Sequence, residues 1–168
     1  MIKPRTKTPD LHINLVNDAK WKLSDQKPEH FTMVVIYRGK HCPVCKTYLQ
    51  TIQKNMDAFK NKGINVIAIS SDTEEKAKAT YEDWDISDLP IGYNFPIEEA
   101  REWNLYISKG IKNEPEQFIE PALFLITPEQ TLYASSIQTM PFARPKIEDI
   151  LKSIDFVLEK DYPARGEA

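Results

Sequence analysis

A stretch that reads as a strand buried on both faces runs straight into the chain's only two cysteines, and this junction constrains the fold most. Residues 31–37 read Phe-Thr-Met-Val-Val-Ile-Tyr, aromatic or β-branched at all but one position, the composition of a strand covered on both sides. Arg38-Gly39-Lys40-His41 follows, and then Cys42-Pro43-Val44-Cys45. Beyond Cys45 the apolar period changes. Cys45, Leu49, Ile52, Met56 and Phe59 step by four and three, the stripe of an amphipathic helix. Pro43 suits a first helical turn, where its missing N–H costs nothing, and Gly63 closes the element. The expectation is strand, tight loop, Cys42 at a helix start and Cys45 one turn in.

That placement has chemical consequences. A sulfur at a helix N-terminus faces unpaired backbone N–H groups and the positive end of the helix dipole, and both favour thiolate. Arg38, Lys40 and His41 stand nearby in sequence and add cationic character. Such surroundings bring a cysteine pKa from about 8.5 to between about 3.5 and 7.5. Cys45, on the apolar stripe, is expected to be less exposed. One sulfur then attacks and the other resolves the mixed disulfide.

Two duller readings compete. The cysteines can be inert and buried, or half of a zinc site. Zinc takes four ligands as a rule; only His12, His30 and His41 remain as nitrogen donors, and His41 adjoins Cys42 too closely to share one ion with it. His41 also reads as a half-exposed loop histidine, and Arg38 and Lys40 as solvated charges. No metal and no cofactor is expected.

The 168 residues suffice for one domain with a real core. Lys plus Arg number 22 against 25 Asp plus Glu, a net charge of -3, which gives no footprint for nucleic acid or a membrane surface. The apolar runs are far too short to span a bilayer. The basic start, Met1 to Pro9, lacks the apolar region of a secretory signal, and two close cysteines are no secreted disulfide framework. The cytoplasm is the expected compartment.

Along the chain, residues 1–10 read as an arm without periodicity. Leu11, Ile13 and Leu15 alternate with polar neighbours as a short strand, and 21–23 suggest another. Residues 64–70 form a second buried-strand pattern. Asp72 and Glu75 are spaced as a capping box for a helix with Ala77, Tyr81 and Trp84 on one face. Strand, helix, strand and helix make a βαβ unit. A short strand is expected over 91–94 and a short charged helix over 96–105. Residues 105–120 are the least regular interior segment, broken by Gly110 and Pro115. A proline-led buried strand over 120–127 turns back at 128–130 into an antiparallel return over 131–137. Residues 140–145 form a rigid connector, with Arg144 between two prolines a weak candidate for substrate contact. The cleanest helix stripe is Ile147, Ile150, Leu151, Ile154, Val157 and Leu158, and 161–168 form a tail.

On Pro9-Asp10-Leu11, Leu23-Ser24-Asp25, the strand from Val34 to Tyr37, Cys42-Pro43-Val44-Cys45, Ala68-Ile69-Ser70 and Pro121 to Ile126, the chain resembles the alkyl hydroperoxide reductase and thiol-specific antioxidant (AhpC/TSA) family, the peroxiredoxin-like branch of the thioredoxin fold. The likeness covers residues 9–160. It implies an α/β domain with a central mixed sheet and helices on both faces. It implies Cys42 as attacking thiol, Cys45 as resolving thiol, and Pro121 as a cis-proline whose loop lies against the cysteines. Two departures stand out. Peroxiredoxins carry proline, then threonine four residues on, then the peroxidatic cysteine three further; counted back from Cys45, Cys42 takes the threonine place and Arg38 the proline place. They also carry an arginine beside the strand matching 122–126, where this chain has Glu120-Pro121. Both changes point from peroxide reduction toward dithiol–disulfide exchange, with Arg38 or Arg144 left to serve a thiolate.

The expected function is therefore a thiol–disulfide oxidoreductase using Cys42 and Cys45, supported by Arg38, Lys40, His41 and Pro121. Its partners would be protein or small-molecule disulfides and a thiol donor, with the chain a monomer or homodimer. The alternatives are a hydroperoxide reductase on the same sulfurs and a redox-inert binding module on the same scaffold.

Overall fold

A computed structural model describes residues 1–168. Its centre is β3 (Phe31–Ile36), every residue of which is buried. β3 pairs in parallel with β4 (Ile64–Ile69) and antiparallel with β8 (Ala122–Ile126). β1 (His12–Leu15), β2 (Lys20–Lys22), β5 (Ile91–Tyr93) and β9 (Leu132–Ile137) complete a mixed sheet in the order β2-β1-β5-β4-β3-β8-β9. The β1 alternation is kept, with Ile13 and Leu15 inward and His12 and Asn14 outward, as period-two geometry requires.

The side chains of β3 divide the core. Met33 and Val35 face a layer holding Leu49, Ile52, Phe59, Ala77, Ile150 and Ile154, supplied by α1 (Pro43–Lys54), α2 (Met56–Asn61), α3 (Glu74–Asp83) and α5 (Ile147–Lys160). Val34 and Ile36 face the opposite layer, where α4 (Ile97–Glu102) brings Ala100 and the following Trp103 packs edge-on against Phe124, ring centres 5.0 Å apart. Helices thus cover both faces of a thioredoxin-like sheet. Each large apolar side chain so buried contributes roughly 1.5–3 kcal/mol, and Leu49 and Ile52 press the cysteine-bearing helix onto the sheet.

Three local expectations are corrected. The stripe from Cys45 to Phe59 is two helices, not one. Asn55 leaves helical geometry (φ -109°, ψ 10°), and its amide donates to the Thr51 carbonyl at 2.8 Å, the backbone competition typical of asparagine. Residue 73, not 72, caps α3: the Thr73 hydroxyl accepts from Lys76 N–H, while Asp72 is buried and used elsewhere. The supposed irregular stretch 105–120 holds a small antiparallel hairpin, β6 (Ile107–Lys109) with β7 (Gln117–Ile119). It closes tightly because Gly110 N–H donates to Glu116 O at 2.9 Å, and a Cβ on Gly110 would stand 1.8 Å from the Pro115 carbonyl. Beyond these corrections, the N-terminal arm is held against the sheet. Arg5 N–H donates to Leu132 O and Leu132 N–H to Thr6 O, at 2.8 and 2.9 Å, so the arm covers the start of the edge strand β9. No helix is long and apolar enough to cross a membrane.

Candidate active site

The loop from β3 to α1 is fixed by a buried carboxylate beneath it. Lys40 N–H donates to Asp72 Oδ2 at 2.8 Å. Gly39 sits at φ +130°, and a Cβ there would lie 2.5 Å from the same carboxylate, so only glycine allows this approach. Cys42 N–H then donates to Gly39 O at 3.1 Å. Cys42 is the N-cap of α1, extended at φ -104° and ψ 100°, with Pro43 in the first turn. Its Sγ accepts the Cys45 N–H at 3.2 Å. The expected helix mouth is present, and one of its orphan donors points at sulfur.

Cys42 and Cys45 are joined as a disulfide, Cα atoms 5.2 Å apart. Neither sulfur stands open: Cys42 is 4% exposed and Cys45 0%. Burial is thus greater at Cys42 than a helix-mouth position suggests, and the residue belongs to the same core cluster as Cys45, Tyr37 and Trp84. Cys45 is the deeper of the two by a small margin.

The group touching the buried sulfur comes from the connector after β9. Arg144 Nη2 donates to Cys45 Sγ at 3.1 Å, and Nη1 donates to Pro141 O at 2.7 Å. The guanidinium lies over the Tyr48 ring, 5.0 Å from its centre, a cation–π contact, and the Tyr48 hydroxyl donates to Pro145 O at 2.7 Å. Burial pushes Arg144 down to about 10, so it remains a cation at neutral pH. Burial likewise pushes Tyr48 up to about 12.

Arg38 is differently placed. Its Nε and Nη2 donate to the two Glu120 oxygens at 2.8 and 3.0 Å, a bidentate pair. The Glu120 side chain is almost wholly buried, and Ser108 Oγ donates to it from β6. Phe118 of β7 lies between Arg38, whose Cζ stands 5.3 Å from the ring centre, and His41, whose ring meets it edge-on at 4.8 Å. The hairpin therefore grips the loop twice, by charge and by aromatic contact.

Both His41 nitrogens are shielded and unpaired. Burial lowers its pKa, with Asp72 acting in the opposite direction, so it is neutral at neutral pH. Lys40 pairs through its ammonium with Asp83 at the end of α3, which directs its charge to that partner. Pro121 is trans, contrary to the cis geometry that the resemblance implies, since no cis peptide occurs. Its carbonyl accepts from Gln138 N–H at 3.0 Å, and Glu120 N–H donates to Tyr106 O at 2.8 Å. Lacking an N–H, and with its carbonyl engaged, Pro121 serves as strand opener to β8. The cysteines being bonded to each other, no group of three or more His, Cys, Asp or Glu side chains is arranged to hold a metal.

Sequence reasoning overlooked Asp72 as the loop's anchor and Glu120 as the partner of Arg38. The second had a signal. The two departures from the peroxiredoxin pattern, at 38 and at 120, carry opposite charges, and the structure makes them partners.

The AhpC/TSA family model matches residues 4–135. The 1-Cys peroxiredoxin PER1 of Arabidopsis thaliana is 24% identical over 154 residues, covering 89% of this chain and 68% of the relative. Among solved structures, a mutant of peroxiredoxin 6 of Arenicola marina superposes with a TM-score of 0.81 at 20% identity, covering 96% of this chain and 76% of that one. Enterococcus faecalis AhpC does so with 0.76 at 18%, covering 98% and 99%. With the thioredoxin-like sheet and a bonded cysteine pair at the mouth of its helix, the chain is a thiol-dependent oxidoreductase and belongs to the AhpC/TSA family.

Proposed function

We propose that the protein is a thiol–disulfide oxidoreductase in which Cys42 exchanges with the substrate and Cys45 resolves. The carrying observation is that the outer sulfur, Cys42 Sγ, caps α1 and is already bonded to Cys45. Dithiol and disulfide therefore interconvert across a single helical turn, without moving a loop or a second subunit.

In the reducing direction the Cys42 thiolate attacks a substrate disulfide. One substrate sulfur leaves as thiolate and takes a proton, and the other is held as a mixed disulfide on Cys42. Cys45, deprotonated, attacks Cys42 Sγ and expels the second thiol. The net change is two substrate thiols formed and one Cys42–Cys45 disulfide gained. A thiol donor returns two electrons and two protons, and a reducing compartment such as the cytoplasm suits that step. Arg144 steadies Cys45 as an anion while it waits to attack. Cys42, the less deeply buried of the two residues, is the one that a partner would meet first.

A second reading is supported by the Arg144–Cys45 contact and by family membership. Here the Cys45 thiolate attacks a hydroperoxide, giving a sulfenic acid and, after protonation, an alcohol or water. The Cys42 thiol then condenses with the sulfenic acid, releasing water and forming the same disulfide. Insulin disulfide reduction run beside hydrogen peroxide consumption separates the two. The first reading predicts insulin reduction that disappears in Cys42→Ser; fast peroxide consumption without insulin reduction refutes it.

A further inference from the structure

Two arginines hold the elements around the disulfide, Arg38 in the loop that leads to Cys42 and Arg144 on Cys45 itself, and only Arg144 is free of a carboxylate. Arg144 donates to Cys45 Sγ, and its other partners are the Pro141 carbonyl and the Tyr48 ring face. Arg38 is bound through two donors to Glu120, which is itself buried and further held by Ser108. We infer that Glu120 is a positioning residue that holds Arg38 and cancels its charge, leaving Arg144 as the arginine that serves the sulfurs and thereby favouring disulfides over hydroperoxides as substrates.

Electrostatic reach supports this. Arg38 lowers and Glu120 raises the pKa of Arg144, so both ends of the pair are felt at the guanidinium that contacts Cys45. They act with opposite sign.

The substrate consequence follows from leaving groups. A thiolate leaving a disulfide comes from an acid of pKa about 8.5. Hydroxide leaving hydrogen peroxide comes from water, about 15.7, and its developing charge needs cationic or proton-donating help. Cancelling the charge of a second arginine therefore hampers hydroperoxide cleavage more than disulfide exchange. The inference rests on the reading of Cys42 and Cys45 as a redox couple, and adds why one oxidant class is preferred.

The test uses this chain in a Cys42→Ser background, where the ultraviolet absorbance of the thiolate reports Cys45 alone without a reagent having to reach it. The midpoint of that absorbance against pH is measured for the parent, Glu120→Gln and Arg38→Met. Glu120→Gln frees a cation and is expected to lower the midpoint by about one unit. Arg38→Met strands the carboxylate and raises it. With both cysteines present, Glu120→Gln is expected to speed hydrogen peroxide reduction about tenfold, and disulfide exchange less. A merely structural role would move both variants in the same direction. That outcome, or an unmoved midpoint in a Glu120→Gln protein with native circular dichroism, overturns the inference. Failure to reduce any disulfide, with the opposite-signed midpoints intact, instead refutes the exchange reading of the site.

Discussion

The two arginine-bearing segments flanking the disulfide use the same side chain for different ends. In the loop between β3 and α1, Arg38 is locked to Glu120 and overlaid on Phe118, so its charge secures the hairpin β6–β7 against the loop. In the connector after β9, Arg144 meets no carboxylate and spends a donor on the Cys45 sulfur. Charge with a buried partner stabilises geometry; charge without one is available to a developing anion. The comparison teaches that proximity to a cysteine does not define an arginine's role, whereas its pairing does.

Removing the free cation should have the largest effect. Arg144→Gln is expected to raise the Cys45 ionisation midpoint by one to two units and to slow turnover at neutral pH by about tenfold to hundredfold. Stopped-flow exchange with a small aromatic disulfide measures the rate, and unchanged kinetics would dissolve the distinction between the arginines.

Next comes the paired side. Glu120→Ala leaves the Arg38 guanidinium without its buried partner, and unfolding free energy should fall by about 3–5 kcal/mol. Urea denaturation reads this directly. A loss under about 1 kcal/mol, the range of surface pairs, would place Arg38–Glu120 with ordinary surface ion pairs and remove its structural role.

Tyr48→Phe sharpens the comparison on the other side. It deletes the hydroxyl bond to Pro145 O while keeping the ring under Arg144, so stability should drop by about 0.5–1.5 kcal/mol. The connector should loosen and the Arg144 contact weaken with it; a fall in reactivity smaller than that of Arg144→Gln is the expected kinetic result.

The smallest effect concerns Asp72, under the loop. Burial raises its pKa above the ordinary 3.8, with the Lys40 N–H bond opposing. The folded state therefore binds this proton more tightly than the unfolded chain. Its contribution is fully present below pH 3.8 and is lost as pH rises through the folded value. Asp72→Asn, which keeps an acceptor for Lys40 N–H, should flatten that slope in denaturation series across the acidic range. A slope identical to the parent's would show that Asp72 is not the titrating group.

Much of this was legible before any coordinates. The buried β3, the cysteine helix with its inward Cys45, Leu49 and Ile52, and the proline-led β8 each follow from period and composition, because burial on a sheet or one helix face selects residues at fixed spacing. The hairpin at 107–119 was not legible. Its strands are three residues each, too short for a period, and what holds them to the molecule is long-range, Phe118 on His41 and Glu120 on Arg38. Arg144 reaches Cys45 across 99 positions of sequence, a contact that no local pattern encodes. Asp72 carried a helix-cap spacing but sits under Gly39 instead, where its carboxylate accepts the Lys40 N–H. Local rules read elements; the charges between elements needed the fold.

The central claim is a division of labour between the two sulfurs, and trapping tests it most directly. Reduced Cys45→Ser and Cys42→Ser proteins are each mixed with a small disulfide and weighed intact by mass spectrometry. The account predicts a lasting mixed disulfide on Cys42 in Cys45→Ser and little adduct in Cys42→Ser. A stable adduct on Cys45 in Cys42→Ser, with none on Cys42 in its counterpart, would contradict it.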